Sequence, residues 1–397
     1  MRVLVTGGAG FIGTHLSRRL VREGLAVTVL DNFNLQTHRG GGSVAADLEG
    51  KVKLVVGDVR DKEAWSTALR DQDAVVHLAA ETGTGQSMYE VERYASVNVV
   101  GTSILMDHLA NARQHLVKRL VVASSRAIYG EGKYRCARCG PGYPEARAAA
   151  DMLAGRFEPR CPICRQPCAP MPTDEASPLH PSSFYGLTKR VQEEMTILFG
   201  RALEIPAFAL RYQNVYGPGQ SLENPYTGIL AIFSNRARAG TPINVFEDGQ
   251  ESRDFVYIED VVEATWRCLV SGLKGAEAIN IGSGERTTVL EAARAIVGFF
   301  SSASEIKVSG DFRLGDIRHN LADLGRAKDL IGFKPRWGFA EGIREFLAWS
   351  ARQGVGGGGY ESALEEMKGR GLLLTFAGGS RLEACSTLRR RKDGDCC

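Results

Sequence analysis

Tyr185 and Lys189 stand four residues apart in Tyr185-Gly186-Leu187-Thr188-Lys189, so on a helix they share one face. An ammonium beside a phenol favours the phenolate, and is expected to lower the Tyr185 pKa from about 10 and make it a usable base. Ser125 ends a β-branched run in Val122-Ala123-Ser124-Ser125, where it could hydrogen-bond the same substrate oxygen and orient it for proton transfer. Tyrosine and lysine at this spacing also occur by chance in many helices. The three become a catalytic set only if the chain folds them onto a site that supplies the rest of the chemistry.

The first apolar run, Arg2 to Thr6, leads into Gly7-Gly8-Ala9-Gly10-Phe11-Ile12-Gly13, a G-x-x-G-x-x-G loop that opens a helical pattern. Gly7 permits the tight turn, Gly10 lets a pyrophosphate approach the helix N-terminus, and Gly13 lets the helix pack close to the strand. Phe11 and Ile12 are then expected to line a dinucleotide. Eighteen residues past Gly13, Asp31-Asn32 ends the second strand pattern, where a carboxylate can accept hydrogen bonds from the adenosine ribose. Its charge would repel a 2'-phosphate, which favours NAD over NADP; the plainer reading is the start of a turn. Asp58-Val59 after the third strand is similarly placed to meet the adenine, or Asp58 could cap the next helix.

Between Ser125 and Tyr185 the chain carries Cys136-x-x-Cys139 and Cys161-x-x-Cys164, two pairs separated by 21 residues. This spacing suits a closed tetrahedral zinc ribbon, which would order a segment with too few large apolar residues to fold alone. Reduced thiols in a mobile loop, or a redox pair, are the alternatives. Cys168 is a possible substitute ligand. The segment directly precedes Tyr185, so a lid over the substrate is a further expectation.

These residues need a scaffold. Arg2 to Thr6, Ala26 to Leu30, Val52 to Val56, Ala74 to Leu78 and Leu120 to Ala123 read as strands, with helical patterns such as Ile12 to Glu23 and Ala95 to Ala112 between them. That alternation predicts an α/β fold, a doubly wound parallel sheet of Rossmann type covered on both faces. The helical run Tyr185 to Phe199 and the strand Ala207 to Tyr212 continue it. The expected division is a dinucleotide domain over 1–217 with a Cys-rich insertion at 132–172, and a smaller mixed α/β lobe over 218–350. A flexible extension over 351–397 completes it, with a hinge at Gly354 and 356–359, one helix at Tyr360 to Arg370 and a disordered end.

The chain of 397 residues is 44% apolar and 24% charged, enough for a large core, and its net charge of +3 gives no basic footprint for nucleic acid. Arg389 to Lys392 is read as a solvated tail. The start, Met1-Arg2-Val3, has no signal-peptide pattern and no apolar run nears a membrane span, so a cytoplasmic protein with no membrane partner is expected. In that compartment nine cysteines suggest thiol or metal chemistry rather than disulfides.

Taken in order, the chain resembles the extended short-chain dehydrogenases/reductases, in particular the sugar-nucleotide epimerases and dehydratases. The resemblance spans roughly Met1 to Trp349 and rests on Thr6 to Gly13, Asp58-Val59, His77-Leu78-Ala79-Ala80, Asn98, Ser124-Ser125 with Tyr129-Gly130, and Tyr185 to Lys189. It continues through Arg211 to Pro218, Arg253 to Tyr257 with Asp260-Val261, and Asp316-Ile317-Arg318. It implies that Tyr185 is the acid/base, Lys189 binds the nicotinamide ribose, and Ser125 holds the reacting hydroxyl. It also implies that Leu78, Ala79, Ala80 and Asn98 line a tightly held NAD, and that Asn214, Arg253 and Arg318 hold the diphosphate of a dTDP- or UDP-sugar. For the two arginines, ordinary salt bridges are the alternative. A homodimer is implied as well.

In the resemblance, dehydrating members carry Asp-Glu directly after the strand-end hydroxyl residue, where this chain has Arg126-Ala127. Dehydration is therefore not expected, and 4-epimerisation through a transient 4-ketosugar is. The segments Ala80 to Tyr89 and Ser125 to Tyr134 are most similar to a subgroup that includes dTDP-L-rhamnose 4-epimerases, with UDP-hexose 4-epimerases close behind. A 4-ketosugar reductase would draw on NADPH, which Asp31 disfavours. A non-catalytic NAD-sensing scaffold would have no need of Ser125, Tyr185 and Lys189 together.

Overall fold

The computed structural model describes residues 1–38, 42–112, 116–224, 226, 228–354 and 359–376. Seven strands form the central sheet: β1 (Arg2–Thr6), β2 (Ala26–Asp31), β3 (Val52–Val56), β4 (Ala74–His77), β5 (Leu120–Ser125), β6 (Ala207–Tyr212) and β7 (Ala276–Ile281). Their order is 7-6-5-4-1-2-3 and every pairing is parallel. Strands covered on both faces must be apolar at successive positions, and Val3-Leu4-Val5, Val75-Val76 and Ala207 to Leu210 are fully buried. The chain leaves β1 towards β2 and β3, then crosses to β4 on the other side. The C-terminal ends of β1 and β4 therefore part at a crevice, where open α/β sheets bind ligands.

Helix α1 (Phe11–Arg22) buries Leu16 and Leu20 in the core on one face of the sheet, while Trp65, Leu105 and Leu109 fill the other. Helix α2 (Phe184–Ala202) begins where the Ser183 hydroxyl accepts the Gly186 N–H at 3.1 Å, a cap that fixes Tyr185 in its first turn.

The expected boundary at residue 217 does not separate two bodies. Strand β7 comes from the second segment yet pairs with β6. Helix Ile258–Val270, also beyond 217, buries Val261, Ala264 and Cys268 in the same core as α1 and ties Glu263 to the Arg19 guanidinium at 2.9 Å. Strand β7 is the outermost strand on that side, so the later part of the chain completes the sheet. The remainder of that part packs around the buried Asp254, whose carboxylate accepts the N–H groups of Ser283, Gly284 and Ala322.

The insertion is ordered, with short strands at Tyr134–Cys136, Gly140–Gly142 and Ala169–Pro170. The expected C-terminal helix is present as α3 (Tyr360–Gly369). Contrary to the expectation of disorder after it, Leu373–Thr375 pairs antiparallel with Asp311–Arg313, and Phe376 joins Met152, Phe157 and Phe312 in a small apolar cluster. Most of the glycine hinge, and the chain after 376, lie outside the described residues. Among the described residues, no helix is long and apolar enough to cross a membrane.

Candidate active site

A cavity of about 770 Å³ opens at the crevice beyond β1 and β4, within the range of small-molecule sites. One wall is the glycine loop. Gly7 sits at φ +65° and donates its N–H to Leu30 O at 2.8 Å; a Cβ on Gly13 would lie 2.1 Å from the Gly7 carbonyl oxygen. Gly10 is different, since its Cβ would meet only Gly7 O, at 3.2 Å, and the space beyond it faces the cavity. Phe11 and Ile12 line the same wall. The loop thus delivers the free N–H groups of a helix N-terminus to an open cleft, a cradle suited to a pyrophosphate.

Asp31 lines the cavity from the end of β2. Its oxygens accept the N–H groups of Ala9 and Phe33, each at 3.0 Å, so its carboxylate is fixed against the glycine loop. Asn32 also lines the cavity and donates to Asp58 at 2.8 Å. Asp58 itself stands behind this wall while Gly57 and Val59 face the cavity. Burial tends to raise its pKa, but hydrogen bonds from Arg60 and Asn32 outweigh this and hold it at about 2. Nor does Asp58 cap the next helix: Asp61 does, accepting from Glu63 N.

Leu78, Ala79 and Ala80 line the cavity, the first two hung on Thr6 by 3.1 Å hydrogen bonds. Asn98 does not face it. Wholly buried on a π-helical turn, it holds the Glu81 N–H and carbonyl and the Thr188 hydroxyl, so it positions the cavity wall and the helix that carries Tyr185.

Ser125, Tyr185 and Lys189 face this cavity together. Tyr185 N donates to Ser87 Oγ at 2.9 Å, while Ser125 Oγ accepts the Ala127 N–H at 3.2 Å on the same cavity. The expected lowering of the phenol by Lys189 is absent. Burial raises the Tyr185 pKa, and it is the Ser125 hydroxyl and the Arg126 guanidinium that oppose this. Lys189 instead donates to Ala123 O and Gln192 Oε1, both at 2.8 Å, and burial draws its ammonium down to about 7. One helical turn is enough for two side chains to share a face, but a nearby carbonyl competes for the ammonium.

The expected diphosphate residues separate. Asn214 lines the cavity. Arg253 lies behind it, held by Asp316 at 3.2 Å. Arg318 is not at the cavity: only 1% exposed, it pairs with Glu158, Glu247 and Asp248, each at 2.7 Å. Three carboxylates from distant parts of the chain converge on it, which no local spacing reveals. Two cations had no role assigned to them in the sequence. Arg126 lines the cavity, and Arg313 lies over the Phe246 ring at 4.9 Å with its Nε buried and without a partner among the described residues.

The four expected zinc ligands, Cys136, Cys139, Cys161 and Cys164, come together with all sulfurs within 4.8 Å of one another and Cys136 and Cys164 at 3.5 Å. Tetrahedral zinc with 2.3 Å bonds needs sulfurs about 3.8 Å apart, so the quartet fits. Backbone N–H groups of Cys164 and Ile163 favour the Cys161 thiolate, lowering it to about 6. Cys168 stands outside the quartet. No described residue of 132–172 lines the cavity, so the insertion is not the expected lid. It is anchored elsewhere: Arg147 bridges Glu131 and Glu247, and Phe157 meets Phe376.

Comparison with known proteins agrees with this geometry. The model of the NAD dependent epimerase/dehydratase family matches residues 3–155 and 165–282. A dTDP-L-rhamnose 4-epimerase from Burkholderia thailandensis is 41% identical over 354 residues, covering 89% of this chain and 95% of that protein. A UDP-glucose 4-epimerase from Thermus thermophilus, solved in complex with NAD, superposes with a TM-score of 0.70 at 30% identity, over 89% of this chain and all of that one. Another from Thermotoga maritima, solved with UDP-glucose, gives 0.70 at 28%, over 89% and 99%. With the parallel sheet, the glycine cradle and the Ser, Tyr and Lys set on one cavity, the chain belongs to the NAD-dependent epimerase/dehydratase family.

Proposed function

We propose that the protein is an NAD-dependent 4-epimerase of a sugar nucleotide, with dTDP-L-rhamnose as the first substrate to test and a UDP-hexose as the second. One observation carries the reading: Ser125 and Tyr185 share the cavity of the glycine cradle, and the residues after Ser125 are Arg126 and Ala127, so no carboxylate follows the serine to drive loss of water. The 41% identity to a dTDP-L-rhamnose 4-epimerase supports the choice of sugar.

When bound, NAD supplies a reversible hydride acceptor for the sugar carbon. The N–H groups of the glycine loop receive the pyrophosphate, and Asp31 keeps lone pairs for the ribose while its charge turns away a 2'-phosphate. Tyr185 Oη takes the proton of the 4-hydroxyl as that carbon becomes a ketone, and returns it after the sugar has presented its other face. Ser125 holds the same oxygen throughout, and Lys189, one turn along α2, serves the nicotinamide ribose. Asn214, with Arg253 behind it, supplies the polar end for the diphosphate.

The test is incubation with dTDP-L-rhamnose, UDP-glucose and UDP-N-acetylglucosamine without added NAD, followed by separation of the epimers. Turnover with no added cofactor is expected; a need for stoichiometric NADPH would establish a reductase instead. We also propose a structural zinc on Cys136, Cys139, Cys161 and Cys164, to be checked by metal analysis of untagged protein. A fully active, zinc-free preparation would remove that assignment.

A further inference from the structure

We propose that Tyr226 is a wall of the sugar pocket, in contact with the sugar of the bound nucleotide, and that Glu366 on the C-terminal helix α3 positions it. The inference rests on the reading of the cavity as a sugar-nucleotide site and names the surface against which the sugar lies. It also gives the chain after residue 350 a part in the site.

Tyr226 lines the cavity, and the loop after β4 fixes which end of the cavity it occupies. The Tyr94 ring stands edge-on to Tyr185 at 6.4 Å, and its hydroxyl donates to Thr82 O at 2.7 Å. Gly83 follows at φ +120°, where a Cβ would lie 3.2 Å from Tyr94 Oη and 3.5 Å from Tyr226 Cβ. The turn Thr82-Gly83 thus has Tyr94, the neighbour of Tyr185, on one side and Tyr226 on the other. A sugar whose 4-hydroxyl meets Tyr185 is therefore brought to the end of the cavity that Tyr226 walls.

A single carboxylate holds that wall. Glu366 Oε2 accepts the hydroxyls of Tyr226 at 3.0 Å and of Tyr89 at 3.1 Å. Its other oxygen pairs with Arg370 at 3.0 Å, and the Arg370 guanidinium lies over the Tyr89 ring at 4.3 Å. Tyr89 follows the loop after β4 and Tyr226 belongs to the later part of the chain, so Glu366 joins two walls of different origin. Helix α3 is itself fixed. Arg236 pairs with Glu361 and lies over the Tyr360 ring at 5.7 Å, and a Cβ on Gly85 would come 3.1 Å from Met367 Sδ. Beyond the helix, Leu373–Thr375 is paired with Asp311–Arg313.

A phenol has one O–H to donate, and Tyr226 commits it to Glu366. What remains for the cavity is the ring, an apolar surface suited to the C–H groups of a sugar. Nothing in this arrangement addresses the nucleotide, whose diphosphate is assigned to the Asn214 side.

The experiment measures dissociation constants of dTDP-L-rhamnose and dTDP, with UDP-glucose and UDP beside them. All variants are built on NAD-loaded Tyr185→Phe, so that substrate is held without turnover. For the sugar nucleotide that binds, Tyr226→Ala should weaken affinity about tenfold, while the bare nucleoside diphosphate changes less than about twofold. Tyr226→Phe and Glu366→Ala remove the same hydrogen bond, so each should cost about fivefold and the double variant no more than either. Glu366→Gln, which keeps an accepting oxygen, should stay near the parent. Equal losses for sugar nucleotide and bare diphosphate, or no loss for either, would overturn the inference; so would additive losses in the double variant. Failure of the wild type to convert any of these sugars would instead refute the epimerase reading, with the affinities still judging the wall.

Discussion

Replacing Arg318 by Met is expected to damage stability and to leave diphosphate affinity alone. The guanidinium is 1% exposed and sits 2.7 Å from Glu247, Asp248 and Glu158. Methionine fills a similar space but leaves those charges behind, and breaking a buried pair in this way costs about 3–5 kcal/mol. Here the lower end applies. Glu247 keeps Arg147 at 2.8 Å, while Glu158 and Asp248, 40% and 33% exposed, can turn to water. A loss of about 3 kcal/mol is a large part of the roughly 5–15 kcal/mol that holds a typical domain. Urea unfolding by linear extrapolation measures the loss, and KM for the sugar nucleotide, taken where both proteins are folded, measures the affinity. An unchanged midpoint with a tenfold higher KM would refute the reasoning and return Arg318 to the diphosphate.

Other outcomes follow from the same geometry. Burial first, and Glu247 second, push the Glu251 carboxyl up to about 8, and its Oε2 has no hydrogen-bond partner. The folded state then keeps a proton that the unfolded chain loses near pH 4, so this contribution to stability is full below about pH 4 and is lost as pH rises through 8. Glu251→Gln should therefore raise the free energy of unfolding at pH 8.5, by a few kcal/mol, with the gain vanishing towards pH 4; parallel pH curves would refute this. Gly13→Ala must displace the Gly7 carbonyl, 2.1 Å from the new Cβ, and should weaken NAD by roughly tenfold to a hundredfold in a calorimetric titration. Glu366 on α3 accepts from the hydroxyls of Tyr226, which lines the cavity, and Tyr89, at 3.0 and 3.1 Å. Glu366→Ala should raise KM about fivefold with kcat little changed, and Glu366→Gln should restore it.

Much of this site was legible because its signals are local. A glycine loop between strand and helix, an acid at the end of β2, and Tyr185 and Lys189 at one helical turn each occupy a few consecutive residues, and the structure brings them to one cavity. The first five sheet strands showed themselves as short β-branched runs between helical patterns, and the sixth, Ala207–Tyr212, as an apolar run after the Tyr185 helix. What stayed hidden depends on partners far away in the chain. Arg318 sits beside a plausible motif, yet Glu158 and Glu247 capture it from other elements. Lys189 has the right spacing, but the carbonyl of Ala123 on β5 takes its ammonium. Asn98 reads as a cavity residue until the π-helical turn buries it behind Glu81. Strand β7 is separated from β6 by more than sixty residues of other elements, so nothing local announces that they pair.

The most direct test of epimerisation by transient oxidation follows deuterium placed at C4 of the sugar nucleotide that the enzyme turns over, dTDP-L-rhamnose first. With Tyr185 carrying only the hydroxyl proton and hydride returning to the carbon it left, the product formed in ordinary water should retain the label at C4. Loss of the deuterium to solvent during turnover would contradict that chemistry.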